Sequence, residues 1–429
     1  MRRLLLCLSV IILPSSISLA QSLEDCQQAA RQNYPLIRQY DLIGKSTALT
    51  VENIQKGWLP QVSAQAQATY QSAVTEWPEQ MQKVYQQMGL EMEGLKKGQY
   101  RVGVDVQQTV FDGGAISSQK ELARRQGAVE EAQTEVSMYQ VRKRVNELYF
   151  GVLLLDEQLR LNSDLQTVLE GNEKKLESMF QRGTAAESDY LSVKAERLDV
   201  SAQRKTLESQ RKAVLRMLSA FCGTEVSQVE KPAGMGVQWN SSALDVLRPE
   251  LRAIDAQLQL ADAQERALKA AVMPRLSVFA QGYYGYPGYN MFEDMMRHQG
   301  SWNGMVGVRL QWNIGALYTR KNDRAKIQLQ REKAMSNRDV FLFNNNMEQI
   351  QQNEDIERYK QLMSDDEERI SLRSRVRRAA ESKLAHGIID VNDLVKEINA
   401  ENSARVQQSI HEIEMLKEIY DLKVTTNNE

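Results

Sequence analysis

Histidine is almost missing from this chain of 429 residues. Only His298, His386 and His411 occur, and no two of them have the spacing of a metal-ligand pair. No G-x-S-x-G sequence is present. Gly89 and Gly94 have Walker-like spacing, but Leu95 stands where a nucleotide-binding loop needs lysine. An enzyme is therefore not expected, and neither is a cofactor. An excess of charge is also lacking: the net charge is -2 and the pI is near 6.1, with basic and acidic residues intermingled. No nucleic-acid partner is implied. Prolines number 8, and only Pro78 interrupts the stretch from Pro60 to Gly183. That scarcity predicts long helices rather than two or three ordinary globular domains.

Long apolar runs are absent too. The one candidate, Leu4 to Leu13, is too short to span a bilayer stably. It follows Arg2 and Arg3 and precedes Ser18-Leu19-Ala20, so residues 1–20 read as a secretory signal and the mature chain starts at Gln21. If the mature chain enters a membrane, it does so as strands. Of the three cysteines, Cys7 lies in the signal. Cys26 and Cys222 remain. In an oxidising compartment they can pair, and two independently buried thiols fit the sequence as well.

What the chain does contain is the same plan twice. Pro35 and Pro60 are 25 residues apart, as are Pro249 and Pro274; Gly103 and Gly183 are 80 apart, as are Gly307 and Gly387. "GVDVQQTVFDGG" answers "GVRLQWNIGALY". A fixed long period makes each copy one structural unit. Repeat 1 covers 21–222 and repeat 2 covers 248–424, joined by an irregular Gly/Ser/Pro-richer linker over 223–247. The polar tail after Tyr420 is expected to fray, and 425–429 to stand outside the fold.

Each copy reads helix, strand, loop, strand, very long helix, tight turn, helix. Val62, Ala64, Ala66, Ala68 and Tyr70 alternate with polar residues. So do Val102, Val104 and Val106; Leu276, Val278 and Ala280; and Trp302, Val306, Val308, Leu310 and Trp312. Four alternating segments with aromatics at their ends match outer-membrane barrel strands. Alternation alone fits a half-buried sheet of a soluble protein equally well. The signal and the lack of a membrane helix tilt the balance toward a barrel. Four strands cannot close a water-filled barrel, which takes about eight, so a barrel demands several chains.

The long helices run from Ile116 to Phe180 and from Tyr318 to Leu384. In the first, Val141, Val145, Leu148, Val152, Leu155 and Leu159 form a coiled-coil seam. Ile370, Val376 and Leu384 belong to a weaker seam in the second. The charged run Asp365 to Glu368 and Arg373 to Arg378 reads as a solvated face, with pairing such as Asp365 to Arg369. Both helices end in matched turns, "FQRGTAAESDYLS" and "LAHGIIDVNDLVK". Each puts an aspartate, Asp189 or Asp393, six residues after glycine. Glycine permits the reversal, and Ser188 or Asn392 is expected to cap the returning helix.

These fragments resemble a TolC-family outer-membrane factor. The resemblance rests on "LPQVSA" and "MPRLSV", on the junctions Phe111-Asp112-Gly113-Gly114 and Trp312-Asn313-x-Gly315, and on the two G-x5-D turns. It spans essentially residues 22 to 424. It implies a mainly α fold with β: a trimeric 12-strand outer-membrane β-barrel, four strands per chain, continued by a long α-helical coiled-coil tunnel. It implies an outer-membrane duct of a tripartite efflux or type I secretion system, reaching into the periplasm of a Gram-negative bacterium. The implied partners are two further copies, outer-membrane lipid, a periplasmic adaptor (membrane fusion) protein and an inner-membrane RND or ABC transporter. Asp393, with Asp189, would form an acidic entrance constriction. Gly183, Thr184, Ser188, Leu191, Gly387, Ile388 and Leu394 would form the adaptor-docking turns. Some members latch the entrance with a Tyr and an Arg near the second turn; this chain has Leu384 and Ile389, which points to apolar packing instead. The main rival is a soluble periplasmic coiled-coil adaptor or scaffold.

Overall fold

The computed structural model describes residues 21–90, 93–232 and 248–427, so the signal and most of the expected linker lie outside the described residues. The chain forms two compact units. One gathers the residues up to Tyr40, Gln133–Leu251 and Asp339 onward; the other gathers Asp41–Ala132 and Arg252–Arg338.

The second unit holds the sheet. Strands β1 (Gln61–Tyr70), β2 (Gly98–Phe111), β3 (Arg275–Tyr286) and β4 (Ser301–Gln311) form an antiparallel meander in the order β1-β2-β3-β4. All four coincide with the alternating segments of the sequence. Their register brings the apolar sets together: Ala64 faces Val104, Val106 faces Ala280, and Val278 faces Val308. Because side chains alternate with period two, this alignment gives the sheet one apolar face and one polar face. On the polar face Gln65 donates to Asp105 (2.6 Å), Gln107 donates to Ser277 (3.1 Å), and the Arg101 guanidinium stacks on Tyr283. The apolar face is bare. Val306 is 79% exposed, Leu310 69% and Val62 67%.

Two short helices absent from the sequence reading sit in the strand-to-strand loops: α3 (Glu79–Gln87) and α7 (Met291–Arg297). The loops that carry them share a small apolar cluster of Leu95, Tyr286 and Met295, flanked by Val74 and Trp77. Helices α2 (Ile37–Gln55) and α6 (Pro249–Ala271) lead into β1 and β3.

The other unit is helical. α1 (Leu23–Asn33) packs against α5 (Glu187–Cys222) in the unit that also holds α9 (Val391–Thr426), α4 (Ala115–Gln181) from Gln133 onward and α8 (Ala316–Ala385) from Asp339 onward; the first parts of α4 and α8 belong to the unit of the sheet. α4 has 67 residues and α8 has 70, while α5 and α9 have 36 each. Val141, Val145, Leu148 and Val152 are buried, so the first part of the α4 seam packs as the heptad spacing requires. Leu155 and Leu159 are only half-buried; the buried line moves to Leu161, Leu165, Leu169 and Leu176. This drift is what a 3.6-residue turn imposes on a 3.5-residue repeat.

The weaker α8 seam packs only in part within the chain: Ile370 and Leu384 are half-buried, Leu384 against the apolar cluster of the hairpins. Val376 is exposed, and so are Val340, Phe343, Ile350 and Leu372. The tail also departs from expectation. α9 continues to Thr426, with Leu422, Val424, Thr425 and Thr426 buried, because Thr425 and Thr426 return their hydroxyls to the carbonyls of Asp421 and Leu422 (3.0 Å each). Apolar packing and these bonds hold the end in place.

Candidate functional site: the paired helical turns

The two turns share one backbone solution. After α4, Gly183 adopts φ +74, its N–H donates to Phe180 (2.8 Å) and the Thr184 N–H donates to Met179 (2.9 Å). After α8, Gly387 adopts φ +70, its N–H donates to Leu384 (3.0 Å) and the Ile388 N–H donates to Lys383 (2.9 Å). This paired pattern closes the last helical carbonyls and requires a left-handed residue. A Cβ at either glycine would meet nothing within 4 Å. Glycine is needed for its dihedral alone, and any other residue costs about 1–2 kcal/mol there.

The returning helices are not capped by Ser188 and Asn392. α5 starts after Ala186 and α9 after Asp390, two residues earlier than the sequence reading placed the caps. Only a short bridge separates each glycine from its helix, so the aspartates fall three residues beyond the cap. The Asp390 carboxylate accepts the Asp393 N–H (2.8 Å). Ala186 has no side-chain acceptor, and Asp189 instead reaches back to accept the Ala186 N–H (3.4 Å). Asp189 is thereby occupied and half-buried, while Asp393 is exposed.

Among the expected docking residues, Gly183, Thr184, Ser188, Leu191, Gly387 and Ile388 are exposed, Ile388 at 69%. Leu394 is not available to a partner. It is 1% exposed and belongs to the apolar cluster that joins the two hairpins, with Leu169, Leu176, Val193, Val391 and Ile398. Leu384 and Ile389 pack against the same cluster.

A charged pair in each hairpin escaped the sequence reading. Glu173 pairs with Arg197 across the first turn, and Arg377 pairs with Glu401 across the second. Both pairs span 24 residues, and each begins ten residues before its glycine. The positions match and the charges are exchanged. Glu401 also binds Arg405 (2.8 Å), and Arg377 binds Glu381. Burial pushes the Glu401 carboxyl up, but the bonds from Arg405 and Arg377 outweigh it and hold it below its ordinary value of 4.5. Counting ten back and fourteen forward from each glycine is the signal that would have found them.

The charged run on α8 also pairs differently from expectation. Arg369 binds Asp366 (2.7 Å) and not Asp365, because Asp366 is the buried member and also meets His411 of α9 (2.6 Å). Higher in α9, burial drives the Asp421 carboxyl up, opposed by Lys417 (3.5 Å) and by an Asn146 hydrogen bond (3.3 Å).

At the strand-to-helix junctions, Asp112 is buried. It accepts the N–H groups of Gly114 (2.8 Å) and Ile116 (2.6 Å), capping α4. Gly113 and Gly114 take φ +66 and +84. At the second junction the Trp312 indole donates to the Val272 carbonyl (2.9 Å), and the Asn313 carbonyl accepts the Ala316 N–H (3.3 Å), with Gly315 beside it. Phe111 is exposed at the end of β2. No His/Cys/Asp/Glu cluster among the described residues could hold a metal ion.

A sequence model described as outer membrane efflux protein matches residues 26–224. Over that span, a little under half of the chain, the sequence is similar to the outer membrane efflux protein family. Solved structures agree with that fold. The outer-membrane channel OprN superposes with a TM-score of 0.69 at 14% identity, covering 95% of this chain and 90% of its own. CusC gives 0.70 at 11% identity, covering 95% and 92%. The open state of the Neisseria gonorrhoeae MtrE outer-membrane channel gives 0.63 at 14%, covering 94% and 88%. Among curated proteins no sequence matches. No helix among the described residues is long and apolar enough to cross a membrane.

Proposed function

We propose that this chain works as a homotrimeric duct. Three copies of the sheet close a twelve-strand barrel in the outer membrane, and the helical hairpins form a tunnel in the periplasm. The observation that carries this reading is the sheet itself. It presents a bare apolar face, and its outer strands β1 and β4 each pair on one side only. Open edges in lipid cost several kcal/mol for each unpaired backbone group, so the edges must meet copies of each other. The flanking helices agree, since Leu42 and Leu49 of α2 and Leu329 and Met335 of α8 are exposed apolar residues in the same unit. β4 with α8 of one copy is suited to β1 with α2 of the next. The two halves of the chain then act as repeats, giving six near-equivalent hairpins about one axis.

In this reading substrates cross passively, driven by an inner-membrane pump of the RND or ABC class through a periplasmic adaptor. The exposed turn residues Gly183, Thr184, Ser188, Leu191, Gly387 and Ile388 form the docking surface. Three exposed Asp393 carboxylates form a cation-favouring constriction, with Asp189 serving the backbone of its own turn. A soluble scaffold has no use for the apolar face of the sheet. Planar-bilayer recording tests the constriction: Asp393→Ala is expected to raise single-channel conductance or remove block by divalent cations. Unchanged conductance together with unchanged block would contradict it.

A further inference from the structure

Within the described residues only two cysteines occur, and the fold brings them together across 196 positions of sequence. Cys26 lies on α1 and Cys222 is the last residue of α5; both are buried in one apolar cluster. The Cys222 Sγ is 3.7 Å from the Cys26 carbonyl oxygen, and the two thiols are within hydrogen-bonding reach of each other. The surrounding contacts hold the two backbones in place. The Asn33 amide donates to the carbonyls of Ala220 and Phe221 (3.2 Å each), and Tyr34 stacks on Phe221 with ring centroids 5.8 Å apart. Gln21 pairs with Val229, and the Tyr149 hydroxyl meets the carbonyls of Gln21 (2.9 Å) and Glu230 (2.5 Å). The N-terminal helix is thus docked on the end of α5 by many weak contacts at the very place where a covalent one is available.

We propose that Cys26 and Cys222 are joined by a disulfide in the exported protein, a clasp that fastens the N-terminal helix to the end of α5. The clasp rests on the reading of the chain as exported, because only an oxidising compartment preserves such bonds. The chemistry is thiol–disulfide exchange with the disulfide of an oxidised protein dithiol oxidase. One cysteine thiolate attacks that disulfide, forming a mixed disulfide and releasing one thiol of the oxidase. The second cysteine thiolate displaces the other. The S–S bond of the oxidase is broken, the Cys26–Cys222 bond is formed, and the oxidase leaves with the two electrons and two protons as a dithiol. The Cys222 contact and burial disfavour the thiolate of Cys26, while the Cys26 contact favours that of Cys222.

The full chain, extracted from outer membranes and alkylated under denaturing conditions without reductant, provides the test. Peptide mapping should find the Cys26 and Cys222 peptides linked and separable only by reductant. Reduction, Cys26→Ser or Cys222→Ser should each lower the unfolding midpoint by about 5 °C or more. Two alkylated thiols in membrane-extracted protein would overturn the clasp. A linked pair whose reduction leaves the midpoint unmoved would overturn its fastening role. Bilayer conductance recorded on the same sample reports on the duct separately, so free thiols in a conducting protein retire the clasp alone.

Discussion

The two units bury opposite things. In the helical unit Val145, Val152 and Tyr149 are fully enclosed, and charge lies on the outside or in pairs. In the sheet unit the valines face outward and the glutamines, Arg101 and Asp105 share the other face. The same residue type, valine, is therefore fully buried in one unit and 79% exposed in the other. A single solvent cannot favour both arrangements. In the proposed duct, water accounts for the first arrangement and lipid for the second.

The sharpest way to break this contrast is to place charge on the outward face of the sheet. Val306→Arg with Val308→Arg should cost about 2–4 kcal/mol each at membrane depth and abolish recovery in the outer membrane. Gln281→Arg, on the opposite face, should leave recovery intact. Equal loss for both, read by membrane fractionation, would refute the lipid assignment.

The helical unit offers a second contrast, between its two hairpins. Arg377→Glu sets two carboxylates against each other beside the buried Glu401, and should destabilise by about 3 kcal/mol. The exchange Arg377→Glu with Glu401→Arg reproduces the charge order of Glu173 and Arg197 and should restore part of that loss in thermal unfolding, the remainder being the like charges left beside Glu381 and Arg405. If the double variant is no better than the single, the two hairpins are not equivalent.

The smallest effect is in pH dependence. The Glu401 pKa is depressed, so its stabilisation is present above the ordinary value of 4.5 and is lost as pH falls through the folded value. Wild type should therefore lose stability relative to Glu401→Gln only below about pH 4.5. A gap between them that stays constant from pH 7 to pH 3 would show that the carboxylate is not favoured by its arginines.

Much of this was legible in the sequence, and the misses share a cause. The four strands were readable because a sheet with one apolar and one polar face enforces alternation along each strand. The turns were readable because only glycine tolerates their backbone. Ser188 and Asn392 were mistaken for caps because one polar residue before an apolar pair looks like another, and only the number of bridging residues after glycine decides between them. Leu394 read as a docking residue because a local pattern does not reveal that two hairpins from distant sequence share one apolar cluster. Val376 is exposed although Leu384 of the same seam packs against the hairpin cluster, because a local pattern does not tell which seam positions meet a partner. α3 and α7 are too short to show a helical period.

Oligomeric mass is the most direct measurement of the central claim. The intact protein, solubilised from outer membranes in mild detergent and analysed by native mass spectrometry, should carry three chains per particle. One or two chains per particle, or release of the protein by a salt wash without detergent, would contradict the account.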